Sequence, residues 1–299
     1  LRSTAMTRVD RRTFLLGAAG MTGLGVLAAC GDDDAGGETA DTPAFLVPTF
    51  PDGYRGESVL AAGIEQRISF VLRDEVDTMR ANAPATIELA ITSADGATIV
   101  SGPVAAHADG IITPYYPVRF TAPAPGEYVA TVTDHTDVDP IPFVVLDRAE
   151  VAIPQVGDPM RPVDTPTVDD ARGVDPICTR ADPCEFHAAT LTDTLAAGGP
   201  SVLLVSTPGF CQTDICGPVL DLLIEAATGR DDLGIVHAEV YVDPSQFAAG
   251  ELPEVTEAVA AYDLPYEPAL FVADAEGTIV ARLDTTWDRA ELEAALALV

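Results

Sequence analysis

The chain has 299 residues, an apolar content of 47% and a formal net charge of −31 at pH 7. This length corresponds to one large domain or two ordinary domains, and the apolar content is too high for a wholly disordered chain. The 47 acidic side chains outnumber the 16 basic ones, so the sequence lacks the basic footprint of a nucleic-acid-binding protein. Five cysteines are too few for a disulfide-dense scaffold, which makes their spacing the informative feature.

Residues 1–30 are typical of an export signal. With Met6 as the expected start, Arg11 and Arg12 precede an apolar stretch that is short for a membrane span, which needs about 20 residues. The paired arginines resemble a twin-arginine signal, and the Leu-Ala-Ala-Cys sequence ending at Cys30 resembles the lipobox of bacterial-type lipoproteins. The resemblance implies that Cys30 is lipidated and holds the chain in the cell envelope, at the outer face of the cytoplasmic membrane. An uncleaved membrane anchor with a chance cysteine is the alternative.

Residues 31–43 are small, polar and charged, and they predict a flexible tether. Residues 44–148 contain short β-like runs separated by turn residues, and they contain no cysteine. Six or seven short strands in about 100 residues are typical of an immunoglobulin-like β-sandwich. The predicted strands are Gln66–Leu72, Thr86–Thr92, Thr98–Val104, Tyr116–Ala122, Glu127–Thr133 and Ile141–Leu146.

Residues 149–176 are rich in proline and lack periodicity, which indicates a linker between domains. Residues 177–299 then alternate between helical and strand patterns. The order after residue 200 is β-α-β-α-β-β-α, which predicts a mixed sheet flanked by helices, with parallel strands first and an antiparallel hairpin last. The predicted strands are Ser201–Val205, Gly234–Val242, Ala269–Ala273 and Thr278–Leu283, and the predicted helices are Ala188–Ala197, Val219–Thr228, Leu252–Tyr262 and a last one capped by Asp288.

Cys211 and Cys216 lie at a strand-to-helix junction. Pro218 is tolerated only in the first turn of a helix, so the helix is expected to begin near Cys216. Residues five apart on one helix are about 8.7 Å apart, too far for a disulfide, so Cys211 must lie in the preceding loop. The helix N-terminus stabilises a thiolate, which predicts that Cys216 is a reactive cysteine.

With the sequence Cys216-Gly217-Pro218 at this junction, residues 200–299 resemble a thioredoxin-fold domain of the lipoprotein-associated kind. The resemblance implies a central mixed sheet, a cis-proline at Pro268 and a substrate groove lined by Pro268, Glu267, Tyr266 and Phe210. It implies a thiol–disulfide oxidoreductase without a cofactor, acting on protein or small-molecule thiols and disulfides, in which Cys216 attacks and Cys211 resolves. The second cysteine of the usual motif is replaced by Val219, and the buried acid of the central strand has no counterpart.

Cys178 and Cys184 precede this domain in a proline-containing segment, and they are expected to form a structural disulfide. His187 and His237 are expected to be structural core histidines and no metal site is predicted. His107 and His135 are expected to be loop histidines.

Three alternatives stay open. The run from Thr207 to Cys216 also resembles Q-type peroxiredoxins, which have the same four-residue gap between cysteines. A metal-binding thioredoxin-fold protein, like copper chaperones, is a second alternative. A surface lipoprotein without enzymatic activity is the third, because fold does not imply function. The substrate and the oligomeric state are left open.

Overall fold

The computed structural model describes residues 44–299, apart from 75–77, 80–82, 135–137 and 212–214. The predictions for the signal arginines, Cys30, the tether of residues 31–43 and His135 therefore lie outside the described residues. Within the described ranges, no helix has the length and apolar character needed to cross a membrane.

The first eight strands form two antiparallel sheets. In one sheet β2 pairs with β1, β3 and β6, and in the other the strand order is β5-β4-β7-β8. Burial alternates along β4 and β7, as expected for strands with one face on a core. The strands are β1 Ala44–Pro48, β2 Glu65–Asp74, β3 Thr78–Met79, β4 Thr86–Ser93, β5 Thr98–Ala105, β6 Tyr116–Thr121, β7 Gly126–Val132 and β8 Ile141–Val145.

Aromatic side chains join the inner faces of these two sheets. The ring of Phe143 on β8 lies 5.6 Å from that of Phe120 on β6, in an edge-to-face arrangement. Phe50 makes edge-to-face contacts with both Phe70 on β2 and Phe143, at 5.6 and 5.8 Å. Such contacts add about 0.5–1.5 kcal/mol each beyond simple burial.

The second half of the chain contains a third sheet, with strand order β10-β9-β11-β12. Strands β9 and β10 are parallel, and β11 is antiparallel to both β9 and β12. The elements are α1 Leu191–Ala197, β9 Ser201–Val205, α2 Cys216–Ala227, β10 Gly234–Ala238, α3 Glu257–Tyr262, β11 Ala269–Ala273, β12 Ile279–Asp284 and α4 Arg289–Leu296.

Local sequence explains where the helices begin. Helix α2 starts at Cys216, two residues before Pro218, as the proline predicts. Helix α4 starts after Asp288, whose side chain accepts a hydrogen bond of 3.0 Å from the backbone N–H of Glu291. All five residues of β9 are buried, which fits its continuous apolar run at the centre of the sheet.

The six predicted strands of the first half are all present, and the predicted order of elements after residue 200 is observed. The sequence missed β1 and the two-residue β3, which lack a clear alternation. The predicted linker of residues 149–176 forms no β-strand or α-helix, yet it is packed: Ile153, Met160 and Val163 are buried. The described residues belong to one compact unit.

A buried ion pair connects the first sheet to the last helix. Arg67 on β2 donates a hydrogen bond of 2.8 Å from its Nε to Glu291 on α4, and further bonds to the carbonyl oxygens of Asp284 and Thr286. The hydroxyl of Tyr115 also donates to Glu291. The side chains of Arg67 and Glu291 are only 4% and 9% exposed. Although burial opposes its ionisation, the hydrogen bond and charge of Arg67 lower the pKa of Glu291 below its ordinary value.

The substitution Arg67→Met should destabilise the protein by about 3–5 kcal/mol, because it leaves the Glu291 carboxylate buried without its cation. The double variant Arg67→Met/Glu291→Leu should recover most of this loss. Urea unfolding of the single and double variants measures both effects.

The matched control is Arg119→Met, which removes an arginine from the exposed pair with Glu65. It should cost less than about 1 kcal/mol. Equal losses for Arg67→Met and Arg119→Met would contradict the structural role of the buried pair.

Candidate active site

Cys211 and Cys216 lie where β9 leads into α2. Cys216 is the first residue of α2 and its side chain is fully buried, whereas Cys211 is partly exposed in the preceding loop. Both are thiols in this structure. The two cysteines thus differ in access: an incoming molecule can reach the sulfur of Cys211 but not that of Cys216.

The environment of Cys216 opposes its ionisation. A hydrogen bond with Cys211, burial and the charge of Glu267 raise the pKa of Cys216 well above its ordinary value. These effects outweigh the helix N-terminus, from which the sequence predicted a reactive Cys216. Cys216 therefore keeps its proton, whereas Cys211 is the partly exposed cysteine of the pair.

Glu267 supplies a partly buried carboxyl group beside this thiol pair. Its Oε2 atom lies 3.5 Å from the sulfur of Cys216 and accepts a hydrogen bond of 2.7 Å from the backbone N–H of Thr207. Burial first, and then the charge of Cys211, raise the pKa of Glu267 to about 7. The sequence lacked an acid on the central strand, but the structure places Glu267, two residues before β11, next to the dithiol.

Of the other predicted groove residues, Pro268 and Phe210 lie at this site and Tyr266 does not. The Glu267–Pro268 peptide bond is cis, and Pro268 is buried directly before β11. Phe210 is 42% exposed beside Cys211. The hydroxyl of Tyr266 is buried near Asp284, away from the cysteines. The sequence missed Tyr241, whose pKa is raised to about 12 by burial and by the charges of Glu267 and the two cysteines.

A second group of reactive side chains lies behind the dithiol loop. Cys178, Cys184, His187 and His237 are all buried, and their ligand atoms lie within 4.8 Å of one another. The two sulfurs are 3.9 Å apart, so the predicted Cys178–Cys184 disulfide is not formed in this structure. The sequence predicted a disulfide between these cysteines and core positions for the histidines, but the structure brings all four side chains together.

Long-range backbone contacts create this cluster. The backbone N–H of His237 on β10 donates a 3.0 Å hydrogen bond to Phe186, and the backbone carbonyl of His187 accepts one from Val168. The spacing Cys-x5-Cys-x2-His at residues 178–187 was the available signal. The fourth member, His237, follows about 50 residues later, and only the packing of residues 178–187 against β10 makes it a neighbour.

Thr179 connects this cluster to the dithiol loop. Its hydroxyl accepts a hydrogen bond of 2.9 Å from the backbone N–H of Gly209, two residues before Cys211. A Cβ atom on Gly209 would lie 2.7 Å from the backbone carbonyl oxygen of Thr179, so this close approach requires glycine. Both the backbone N–H and the hydroxyl of Thr179 donate to Glu239, whose pKa is raised to about 8 mainly by burial.

A third group of polar side chains contains His107, Asp288 and Glu291. Glu291 already accepts hydrogen bonds from Arg67 and Tyr115, and Asp288 caps α4. His107 lies 3.1 Å from Asp288, and its backbone forms an isolated β-bridge with Tyr115 instead of the loop that the sequence predicted. These side chains are therefore occupied by structural contacts.

Comparison with known proteins adds little to this geometry. No protein-family model and no curated protein matches the chain. A metagenome-derived glycoside hydrolase family 9 endoglucanase is 19% identical with a TM-score of 0.24, and the match covers 34% of this chain and 18% of the endoglucanase. The C-terminal domain of a Bacteroides thetaiotaomicron protein assigned as a thiol-disulfide oxidoreductase is 10% identical with a TM-score of 0.30, covering 48% of this chain and 98% of that domain. At these TM-scores neither likeness supports an argument, so the function has to be argued from the site.

A limiting amount of iodoacetamide should modify Cys211 about tenfold or more before Cys216, because Cys211 is partly exposed whereas Cys216 is buried with a raised pKa. Mass spectrometry of peptides from the reduced, full-length protein measures the two yields. The variant Cys216→Ser should leave Cys211 reactive, whereas preferential labelling of Cys216 would contradict this assignment.

Glu267 should make the protein less stable as the pH rises. The unfolded carboxyl loses its proton near pH 4.5, but the folded one keeps it until about pH 7, so the folded state binds more protons between these values. Relative to Glu267→Gln, the wild type should lose up to about 3 kcal/mol of stability between pH 4 and pH 8. Urea unfolding across this range measures the difference.

The control is Glu276→Gln, which changes an exposed carboxyl group. Its stability difference from the wild type should stay flat over the same range, since water surrounds this side chain in both states. A flat difference for Glu267→Gln as well would show that the carboxyl is not perturbed by burial.

Proposed function

We propose that this protein is a thiol–disulfide oxidoreductase that uses Cys211 as the attacking thiol and Cys216 as the resolving thiol. The observation that carries the proposal is the pairing of a partly exposed Cys211 with a buried Cys216 that lies 3.5 Å from the partly buried carboxyl group of Glu267. Thiol exchange requires one sulfur that a substrate can reach and a second that is held close to it.

The reaction begins with attack of the Cys211 thiolate on a substrate disulfide. A new bond forms between Cys211 and one substrate sulfur, and the other substrate sulfur leaves as a thiolate. The sulfur of Cys216 then attacks Cys211, which releases the second substrate thiol and forms the Cys211–Cys216 disulfide. The substrate disulfide gains two electrons and the protein dithiol loses them, and the reverse sequence oxidises a substrate dithiol.

Glu267 acts on the second of these steps. The thiol of Cys216 must lose its proton before it can attack, and burial makes that loss costly. The carboxylate of Glu267 can accept this proton, because its pKa of about 7 is close to neutral pH and its Oε2 atom is within reach of the sulfur. Glu267 therefore supplies the acid that the sequence of the central strand lacks.

We also propose a fold for each half of the chain and a cellular location for the protein. Residues 44–148 are an immunoglobulin-like sandwich, and residues 177–299 are a thioredoxin-like domain. Two features support this: the two antiparallel sheets with a shared aromatic core, and the mixed sheet with order β10-β9-β11-β12 and a dithiol after β9. The lipobox-like sequence at Cys30 supports anchoring at the cell envelope, where disulfides persist. The partners are protein or small-molecule thiols and disulfides.

The test equilibrates the full-length protein with glutathione buffers of increasing oxidised fraction and then traps the thiols. Peptide mapping by mass spectrometry follows Cys211 and Cys216 separately from Cys178 and Cys184. We expect reversible formation of the Cys211–Cys216 disulfide at a potential between about −300 and −120 mV. The variant Cys216→Ser should accumulate a mixed disulfide at Cys211, and Cys211→Ser should not form one.

Two outcomes would overturn the proposal. A Cys211–Cys216 disulfide that stays oxidised well below this range would be a structural bridge, and the protein would then act without thiol exchange. Reaction of Cys211 with hydrogen peroxide far faster than with disulfides would identify a thiol peroxidase instead.

Glu267→Gln should slow release of the mixed disulfide by about tenfold or more at pH 7, since proton removal from Cys216 is then lost. Stopped-flow kinetics of resolution, measured between pH 5 and pH 9, should show an inflection near pH 7 for the wild type and none for the variant. Unchanged kinetics would show that Glu267 only fills space beside Cys216.

A further inference from the structure

We infer that Cys178, Cys184, His187 and His237 form a tetrahedral zinc site that fastens the segment of residues 178–187 to the third sheet. The sequence instead predicted a Cys178–Cys184 disulfide and no metal site. It concerns residues outside the dithiol and does not depend on the proposed thiol exchange.

The distances within the cluster match the edges of a zinc tetrahedron. Bonds of about 2.3 Å to sulfur and about 2.05 Å to nitrogen place two sulfurs about 3.8 Å apart, a sulfur and a nitrogen about 3.6 Å apart, and two nitrogens about 3.3 Å apart. The two sulfurs lie 3.9 Å apart, and His237 Nδ1 and His187 Nε2 lie 3.2 Å apart. The three closest sulfur-to-nitrogen distances are 3.4, 3.6 and 3.9 Å. All four ligand atoms lie within 4.8 Å of one another, so one ion at the centre would be close to each of them.

The chemistry of the ligand set selects the metal. Two sulfurs exclude magnesium and calcium, which prefer oxygen ligands, and tetrahedral sites with two sulfurs and two nitrogens are typical of zinc. Two thiolates balance the two positive charges of the ion, so the filled site is neutral. This neutrality suits a location where all four residues are buried among apolar side chains such as Phe186 and Val202.

The surroundings also orient the better-placed imidazole. The Nε2 atom of His237 lies 3.1 Å from the backbone carbonyl oxygen of Ser206, to which it can donate its proton. The lone pair is then on Nδ1, the atom that faces the two sulfurs. The Nδ1 atom of His187 is buried without a partner in the described part of the chain, which makes His237 the more firmly held ligand.

Four protein ligands leave no open position, so the site is structural. It would join a segment without helix or strand to β10, and through Thr179 it would reach Gly209 in the dithiol loop. Metal binding would thus stabilise the fold at the point where this segment contacts the loop.

The test measures metal in the full-length protein, purified from zinc-supplemented cells under reducing conditions. Elemental analysis by mass spectrometry should find about one zinc per chain. Protein produced with cobalt in place of zinc should show the absorption bands of tetrahedral cobalt together with sulfur-to-cobalt charge transfer. This measurement requires no substitution, so misfolding of a variant cannot obscure it.

Two variants locate the ion. Cys184→Ser should lose most of the zinc and the cobalt charge-transfer band. The matched control, Cys211→Ser/Cys216→Ser, removes two cysteines from the neighbouring site and should keep about one zinc per chain. The same control separates this inference from the proposed function, since it abolishes thiol exchange but not zinc binding.

Three results would overturn the inference. The first is zinc far below one equivalent together with a Cys178–Cys184 disulfide in the purified protein. The second is loss of zinc in the Cys211→Ser/Cys216→Ser control. The third is binding of copper alone, with no zinc or cobalt taken up.

Discussion

The dithiol lies at the end of the third sheet where β9 leads into α2, and its position depends on how residues 178–187 are held. This segment forms no helix or strand. Its contacts are made by side chains and single backbone hydrogen bonds to β10 and to the residue that follows it. His237 lies near the end of β10, and Glu239 directly follows the strand. His237 contacts Cys184, whereas Glu239 accepts a hydrogen bond from Thr179. Thr179 then fixes the loop before Cys211. The geometry of the exposed thiol is therefore set by a segment that lies more than 20 residues away in the sequence.

Two carboxyl groups with raised pKa values lie near the dithiol: Glu239 is buried and Glu267 is partly buried. Glu267 and Glu239 lie on either side of Thr207, whose backbone N–H donates to Glu267 and whose hydroxyl accepts from the backbone of Val240. Burial raises the pKa of both acids to about 7 and 8. In a protein with a formal charge of −31, these two carboxyl groups thus have raised pKa values, so that small pH changes near neutrality alter their charge.

The first eight strands are more than a spacer between an anchor and the dithiol. Arg67 on β2 holds the turn between β12 and α4 through two backbone carbonyl oxygens as well as Glu291. Arg282 on β12 reaches back to the carbonyl oxygens of Pro154 and Val59. Because such buried arginines need all their partners, the two halves of the described chain depend on each other for their polar contacts.

The sequence alone determined the strands other than β1 and β3, the order of elements after residue 200 and the start of α2, because alternation, Pro218 and the cap Asp288 act within a few residues. It also found the pair Cys211 and Cys216 from their place at a strand-to-helix junction. Tertiary structure decided which sulfur is accessible, since burial of Cys216 outweighs the helix N-terminus. It also decided the surroundings of Glu267, Arg67 and His237. Each of these acts on a partner that is distant in sequence, and the free energy of a buried charge or ligand depends on what surrounds it in space.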